Sequence, residues 1–208
     1  MDGLGGVYCE KSIIDSDGLL VSDRDDKRTY TGQTGQIHFN RSFYSLKTQG
    51  CLMCVSRRVL DKYIELDMPE CGHDSQCGRI ALLYSSLWHI DEQLIQYRIH
   101  RVNTSGISKD MSFGASSLDK RLEEISGYND WFIRLIADEE LSEEKKQIIR
   151  DCDKAIKVRE KYLGGKGFFI ELLKYKAYYS GLSMLVGDFA YRHGLNKVLG
   201  KIRWMVRR

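Results

Sequence analysis

The sequence predicts an α/β domain over residues 1–108, followed by a helical region over residues 109–208. Two observations predict this division. Before residue 108, short apolar runs alternate with turns, and after it apolar residues recur at helical spacing almost throughout. The 208 residues suffice for one generous domain or for a compact domain with an appendage, and 42% hydrophobic residues with a single proline are typical of a folded chain.

The elements of the α/β part follow from local patterns. A strand is predicted in "GGVYCEKSIID", before a turn at Asp17-Gly18, where both residue types tolerate turn geometry. "GCLMCV" (50–55) predicts a second strand, and Ser56 is placed to cap the helix that follows. After Asp74, "SQCGRIALLYSSL" predicts a buried helix. "WHIDEQLIQYRIH" then alternates apolar and polar residues as two short strands would.

Three or four helices are predicted beyond residue 108. One begins near Ser116 or Ser117. Another begins at Ser142, with acids in its first turn where the helix dipole favours them, and ends at Gly164-Gly165. The last segment, residues 195–208, separates apolar residues from basic ones and predicts a basic amphipathic helix.

The net charge of +3 hides an asymmetry, because six Lys or Arg and no Asp or Glu follow residue 188. A basic amphipathic tail can lie among anionic lipid headgroups or pack on the preceding helices. No apolar run of about 18 residues predicts a spanning helix, and no signal-peptide pattern opens the chain. We expect a cytoplasmic protein, peripheral on the inner face of the cell membrane. The sequence has no nucleic-acid recognition motif.

Six cysteines in a chain without an export signal indicate reduced thiols or a metal site. Cysteine and histidine spacing in the first domain suits tetrahedral zinc. The ligands would be Cys51, Cys54, Cys71 and His73 or Cys77. Under this hypothesis the chain is a non-enzymatic, zinc-bound interaction module. The alternative is that "CLMCV" is a buried strand in which the cysteines pack as small hydrophobic residues.

Three motifs follow one another between residues 50 and 106: "GCLMCVSRRVLD", "HDSQCGRIAL" and "IDEQLIQYRIHRVNTSG". Their order resembles the second half of family 2 glycosyltransferases, in particular the rhamnosyltransferase-like members that build bacterial surface polysaccharides such as O-antigen. The third motif matches the family pattern at Ile90, Asp91, Glu92, Leu94, Ile95, Tyr97, Arg98, His100, Asn103 and Gly106. The resemblance implies a partial GT-A fold, the C-terminal half of its mixed sheet.

The resemblance also implies roles for particular residues of an inverting, nucleotide-sugar-dependent transferase. Asp74 would be the catalytic base that deprotonates the acceptor hydroxyl, with His73 on the acceptor side. Arg98, His100 and Asn103 would bind the donor diphosphate, and His100 would ligate a bridging Mg²⁺ or Mn²⁺ ion. The structural alternatives are a helix N-cap at Asp74 and solvated charges at the end of a strand for Arg98 and His100.

Complete members of this family carry a nucleotide-binding half before the segment that opens this chain. We therefore expect a truncated or split enzyme, weak or inactive alone, whose nucleotide-binding half would come from a separate chain. Its other partners would be a nucleotide-diphosphate sugar donor and a lipid-linked oligosaccharide acceptor. The alternative is an intact small transferase in which Asp23 and Asp25 of "LLVSDRDD" hold the cation, although few residues are left for nucleotide-binding βαβ units.

Overall fold

The computed structural model describes residues 3, 5–22, 34–46, 48–67, 72–99, 118–179 and 182–196. Within these ranges it contains one five-stranded sheet, with parallel and antiparallel strands, and six α-helices. Every described strand lies before residue 99, and only helices and short 3₁₀ turns follow residue 117 among the described elements. The predicted α/β class with a helical C-terminal region is confirmed.

The sheet is built on a parallel pair. Its strands are β1 (Gly6–Ile14), β2 (Leu20–Ser22), β3 (Gly35–Ile37), β4 (Met53–Val55) and β5 (Leu87–Arg98). β1 runs parallel to β5, and β3 is antiparallel to β5. β2 and β4 are both antiparallel to β1 and follow one another along the same edge of it. The carboxyl ends of the two long strands therefore meet on one side of the sheet.

β5 is one continuous strand, whereas the alternation of its sequence predicted two short ones. Its 12 residues run beside 9 residues of β1, and the surplus is absorbed by bulges. Cys9 pairs with Ile90, but the next residue, Glu10, pairs with Gln93. Bulges of this kind bend a strand locally and change the direction of its side chains.

The helices are α1 (Arg57–Glu65), α2 (His73–Tyr84), α3 (Leu118–Ala137), α4 (Glu143–Leu163), α5 (Phe169–Lys174) and α6 (Leu182–Arg192). Two predicted N-caps are confirmed, because Ser56 and Ser142 accept hydrogen bonds from the backbone N–H groups of Val59 and Lys145. α4 ends at the predicted glycine pair, where Gly165 has φ +95°, a conformation that glycine adopts readily. No helix in the described ranges is both long and apolar enough to cross a membrane.

One hydrophobic core joins the α/β part to the helical region. α2 contributes Ile80 and Leu83, both fully buried. The same cluster contains Tyr8, Phe43, Tyr44 and Leu87 from the α/β part and Trp131, Phe132, Leu135 and Ile156 from α3 and α4. Aromatic rings pack directly across this boundary, since the centroids of Phe43 and Trp131 are 5.6 Å apart. The helical region therefore positions α2, whose first turn carries the candidate base.

Candidate functional site

The predicted base, Asp74, lies in the first turn of α2, where the helix dipole favours an acid. Its side chain is not the N-cap of the helix, so that structural alternative is wrong. The N-cap is Gly72, which has φ +66°, and Asp74 reaches away from its own helix. Its Oδ2 accepts a hydrogen bond of 2.7 Å from the backbone N–H of Gly50. Its backbone carbonyl accepts another of 2.7 Å from the hydroxyl of Thr48.

The second carboxylate oxygen of Asp74 is in a different environment. Oδ1 is buried and makes no well-formed hydrogen bond among the described residues. It lies 2.5 Å from Nε2 of His73, whose side chain is 79% exposed, while that of Asp74 is 30% exposed. Asp74 and His73 are therefore in direct contact. One oxygen is fixed by the backbone and the other is turned toward an accessible imidazole.

Close packing holds the Asp74 carboxylate in place. A side chain on Gly50 would bring a Cβ to 3.0 Å from Oδ1 of Asp74, and a Cβ on Gly78 would come within 2.8 Å of Oγ1 of Thr48. Neither contact leaves room for a methyl group without movement. Gly50 and Gly78 therefore let the loop and the helix approach closely enough to fix Asp74 from two sides.

A buried lysine connects this loop to the centre of the sheet. Lys11 is buried on β1, donates a 2.5 Å hydrogen bond to Oε1 of Gln49, and lies 4.3 Å from the centroid of the Tyr97 ring. Gln49 precedes Gly50, the residue that holds Asp74. A positive charge therefore lies close to the loop that supports the carboxylate, a feature that sequence reasoning missed because it depends on pairing between distant segments.

Arg98, predicted to bind the donor diphosphate, is the last residue of β5. Its Nη1 donates hydrogen bonds to the carbonyls of Asp15 and Ser16, at 3.2 Å and 2.7 Å, in the turn between β1 and β2. Arg98 pairs with Ile14, three residues beyond Lys11, which is about 10 Å along the strand at 3.3 Å per residue. Lys11 and Arg98 therefore both lie in the carboxyl-terminal half of the parallel β1–β5 pair.

Several predicted site residues lie outside the described residues. They are His100 and Asn103 of the donor site, Asp23 and Asp25 of the alternative metal motif, and Cys71 of the zinc hypothesis.

The two cysteines of the "CLMCV" motif do not have the predicted packing. Cys51 and Cys54 are exposed, because β4 is a three-residue strand and Cys51 lies in the 3₁₀ turn before it. The interpretation of "CLMCV" as a buried strand is therefore wrong for both thiols. Cys77 is buried in α2, and burial raises the pKa of its thiol. In the described part of the chain, Cys51, Cys54, His73 and Cys77 do not converge as a group of ligand atoms.

A different group of potential ligands does converge. Glu10, His89 and Asp91 each offer one ligand atom, and these atoms all lie within 4.8 Å of one another. His89 is buried, and its Nε2 lies 2.9 Å from Oε1 of Glu10. His89 and Asp91 are two residues apart in a segment predicted as strand, so the sequence indicates that their side chains lie on the same face of the sheet. Glu10 was not recognisable, since it joins them only through the register of β1 on β5.

The fold and these clusters define a mixed α/β protein with charged groups at the sheet and at the first turn of α2. Comparisons of the chain with protein-family models, with curated proteins and with solved structures found no significant match.

Proposed function

We propose that the chain is the acceptor-side portion of an inverting glycosyltransferase of the rhamnosyl type, acting in bacterial surface polysaccharide assembly, with Asp74 as the base. The observation that carries the proposal is the asymmetric environment of the Asp74 carboxylate. Oδ2 is held by the N–H of Gly50, and Oδ1 has no well-formed hydrogen bond among the described residues. A general base needs a fixed orientation, which the N–H of Gly50 supplies, and movement of the exposed His73 side chain away from Oδ1 would open that oxygen to the incoming proton.

The acceptor side of the proposed site is His73. Its exposed imidazole lies beside Oδ1, the oxygen that would take the proton. A sugar hydroxyl approaching Oδ1 would pass this ring, which can donate or accept a hydrogen bond. His73 would therefore orient the acceptor, and Asp74 would remove its proton as the hydroxyl attacks the donor sugar.

The donor side would be formed by Arg98 with His100 and Asn103. The guanidinium of Arg98 is anchored through Nη1 to the turn after β1, and a guanidinium carries five N–H donors in a planar fork suited to phosphate oxygens. His100 would ligate the Mg²⁺ or Mn²⁺ ion that neutralises the leaving diphosphate. These three residues follow one another within six positions at the end of β5.

A separate chain would supply the nucleotide-binding half. β4 pairs with β1 along one edge, and no other described strand pairs with it. An unpaired edge offers backbone N–H and C=O groups to a strand of another chain. We propose that this half docks against the edge, next to the turn at Gly50 that fixes Asp74.

Peripheral contact with the cytoplasmic face of the cell membrane would bring the site to a lipid-linked acceptor. Large apolar side chains are exposed at α5 and α6: Phe168, Ile170, Leu173, Leu182, Val186 and Phe189. Lys166, Lys174 and Lys176, also exposed, lie in the same stretch of chain. Basic residues near an anionic surface contribute about 1 kcal/mol each. The basic segment 197–208, outside the described residues, would add to this attraction.

The test is release of dTDP from dTDP-rhamnose with Mg²⁺ or Mn²⁺, by the chain alone and with the nucleotide-binding half of a family 2 glycosyltransferase. We expect slow release by the chain alone and faster release with the added half. Asp74→Asn should lower the rate at least 100-fold, within the range that general base catalysis contributes. The asparagine keeps an oxygen for the N–H of Gly50, so thermal unfolding should barely change.

The matched control is Asp61→Asn, an exposed carboxylate on α1 paired with Arg57, which should leave the rate unchanged. A rate that is insensitive to Asp74→Asn, or no release from dTDP-rhamnose with either metal ion and with the added half, contradicts the proposal.

A further inference from the structure

We propose that Glu10, His89 and Asp91 form a binding site for a transition-metal ion, with Zn²⁺ as the preferred occupant. The site does not depend on the proposed transferase activity, and it shares no residue with the Asp74 cluster or with the cation expected at His100. It rests on three side chains from two neighbouring strands that supply one nitrogen and two carboxylate oxygens.

The distances suit an ion after small side-chain movements. The three ligand atoms lie within 4.8 Å of one another, and Nε2 of His89 is 2.9 Å from Oε1 of Glu10. Tetrahedral zinc with bonds of 2.0–2.2 Å separates its ligand atoms by roughly 3.3 Å. The ion would take the place of the hydrogen between Nε2 and Oε1, so the ligand form of the imidazole carries its proton on Nδ1.

The backbone brings these side chains together. His89 pairs with Tyr8 across the parallel strands, and Glu10 is two residues further along β1, on the same face. The bulge in β5 comprises Asp91 and Glu92, which lie between the partners of Cys9 and Glu10, so Asp91 stays beside Glu10. The N–H of Asp91 donates a 2.9 Å hydrogen bond to Oγ1 of Thr34, which fixes its backbone.

One of the three ligands is buried and the other two are accessible to solvent, which suits a bound ion. The His89 side chain is 1% exposed, with its ring 4.8 Å from that of Tyr8, so its orientation is set by packing. Glu10 is partly exposed and Asp91 is exposed, which leaves a path for an ion from solvent.

The ligand set also selects the kind of ion. An imidazole nitrogen suits zinc and other transition metals, whereas Mg²⁺ and Ca²⁺ prefer oxygen ligands alone. Three protein ligands leave a fourth position for water or for an external ligand. The site therefore resembles zinc centres that bind an exogenous group more than closed structural ones.

The test uses the full chain after treatment with a chelator, titrated with Zn²⁺ by calorimetry, with Mg²⁺ in parallel. We expect one Zn²⁺ per chain and much weaker binding of Mg²⁺. Glu10→Gln and Asp91→Asn should each weaken Zn²⁺ binding at least tenfold. Asp91 is exposed, so its variant should fold normally. Glu92→Gln, which changes the neighbouring exposed carboxylate on the same strand, should bind like the wild type.

Cobalt substitution distinguishes this site from the cysteines. Bound Co²⁺ should give the visible absorption of a four-coordinate ion without a thiolate charge-transfer band, and Asp91→Asn should abolish it. Absence of stoichiometric zinc, a thiolate band, or equal Zn²⁺ affinity in Asp91→Asn, Glu10→Gln and the wild type would overturn the proposal.

Discussion

Asp188 in the helical region and Asp74 at the first turn of α2 have different hydrogen-bonding environments. In the helical region, Arg159 of α4 and Asp188 of α6 are 3% and 0% exposed and form a two-point ion pair, with N–O distances of 2.5 Å and 2.8 Å. At the first turn of α2, one oxygen of Asp74 is held by the backbone while the other has no well-formed hydrogen bond among the described residues.

This difference bears on the roles proposed for the two carboxylates. A buried pair whose members satisfy each other has little capacity left for an external group, so its role is to join helices. In Asp74, the oxygen without a well-formed hydrogen bond faces the exposed imidazole of His73, so movement of that side chain would free the oxygen for an external group. Three predictions follow, in decreasing order of expected effect.

The largest effect is expected from Arg159→Met. This variant leaves Asp188 buried without its counter-charge, so the free energy of unfolding should fall by about 3–5 kcal/mol in urea denaturation. Arg150→Met is the matched control, because Arg150 lies on the same helix and pairs with Glu143 at the surface. It should change stability by less than about 1 kcal/mol. Similar losses of unfolding free energy in Arg159→Met and Arg150→Met would show that the buried ion pair stabilises the protein no more than the surface pair does.

The second prediction concerns Asp138, in a network where the two regions meet. Its Oδ2 accepts hydrogen bonds of 2.7 Å from the hydroxyl of Tyr84 and from Nζ of Lys62. Burial alone would raise the pKa of Asp138, but the hydrogen bonds from Lys62 and Tyr84 outweigh it and hold the pKa below its ordinary value of 3.8. The unfolded chain therefore takes up this proton at a higher pH than the native protein does.

It follows that the contribution of Asp138 to stability is fully present at pH values well above 3.8 and is lost as the pH falls through the lower native pKa. Asp138→Asn should reduce the free energy of unfolding by about 1.5–3 kcal/mol at neutral pH. The difference from the wild type should shrink steadily on acidification below pH 3.8. Glu139→Gln, at the exposed neighbouring position, serves as the control. An Asp138→Asn effect that is independent of pH would refute this assignment.

Local features of the fold were predictable from the sequence. Ser56 and Ser142 were recognised as caps because a cap depends on its own residue and the next three. The helical region was predictable for a similar reason, since apolar spacing reports one face of a helix. The sheet was harder to predict, because the bulges in β5 depend on how this strand pairs with β1, a strand about 80 residues away in the sequence.

The candidate site shows the same limit. The sequence singled out Asp74 and His73, which are adjacent in the chain and in space. It did not indicate that Gly50 holds Asp74, or that Glu10 meets His89, because both contacts join distant segments. The predicted N-cap role failed because Gly72, in a left-handed conformation, already begins the helix.

The smallest predicted effect is a difference in stability between alanine substitutions at two helical glycines, Gly78 and Gly127, which the sequence alone does not distinguish. In α2, a Cβ on Gly78 would lie 2.8 Å from Oγ1 and 3.0 Å from Cγ2 of Thr48, whereas a Cβ on Gly127 in α3 would meet no atom of the described residues within 4 Å. Replacing glycine by alanine inside a helix stabilises it by up to about 1 kcal/mol, while overpacking costs about 1–3 kcal/mol. Gly127→Ala should therefore stabilise the protein, and Gly78→Ala should destabilise it by about 1 kcal/mol in urea denaturation.

The double variant Gly78→Ala with Thr48→Ala identifies the cause. Removing the threonine side chain relieves the clash but also removes the hydrogen bond to the carbonyl of Asp74. Relief of the clash should make the effect of Gly78→Ala favourable in the Thr48→Ala background, as it is at Gly127. An unfavourable effect of the same size in both backgrounds would show that Thr48 is not what excludes a side chain from Gly78. The close approach that fixes Asp74 would then need another explanation.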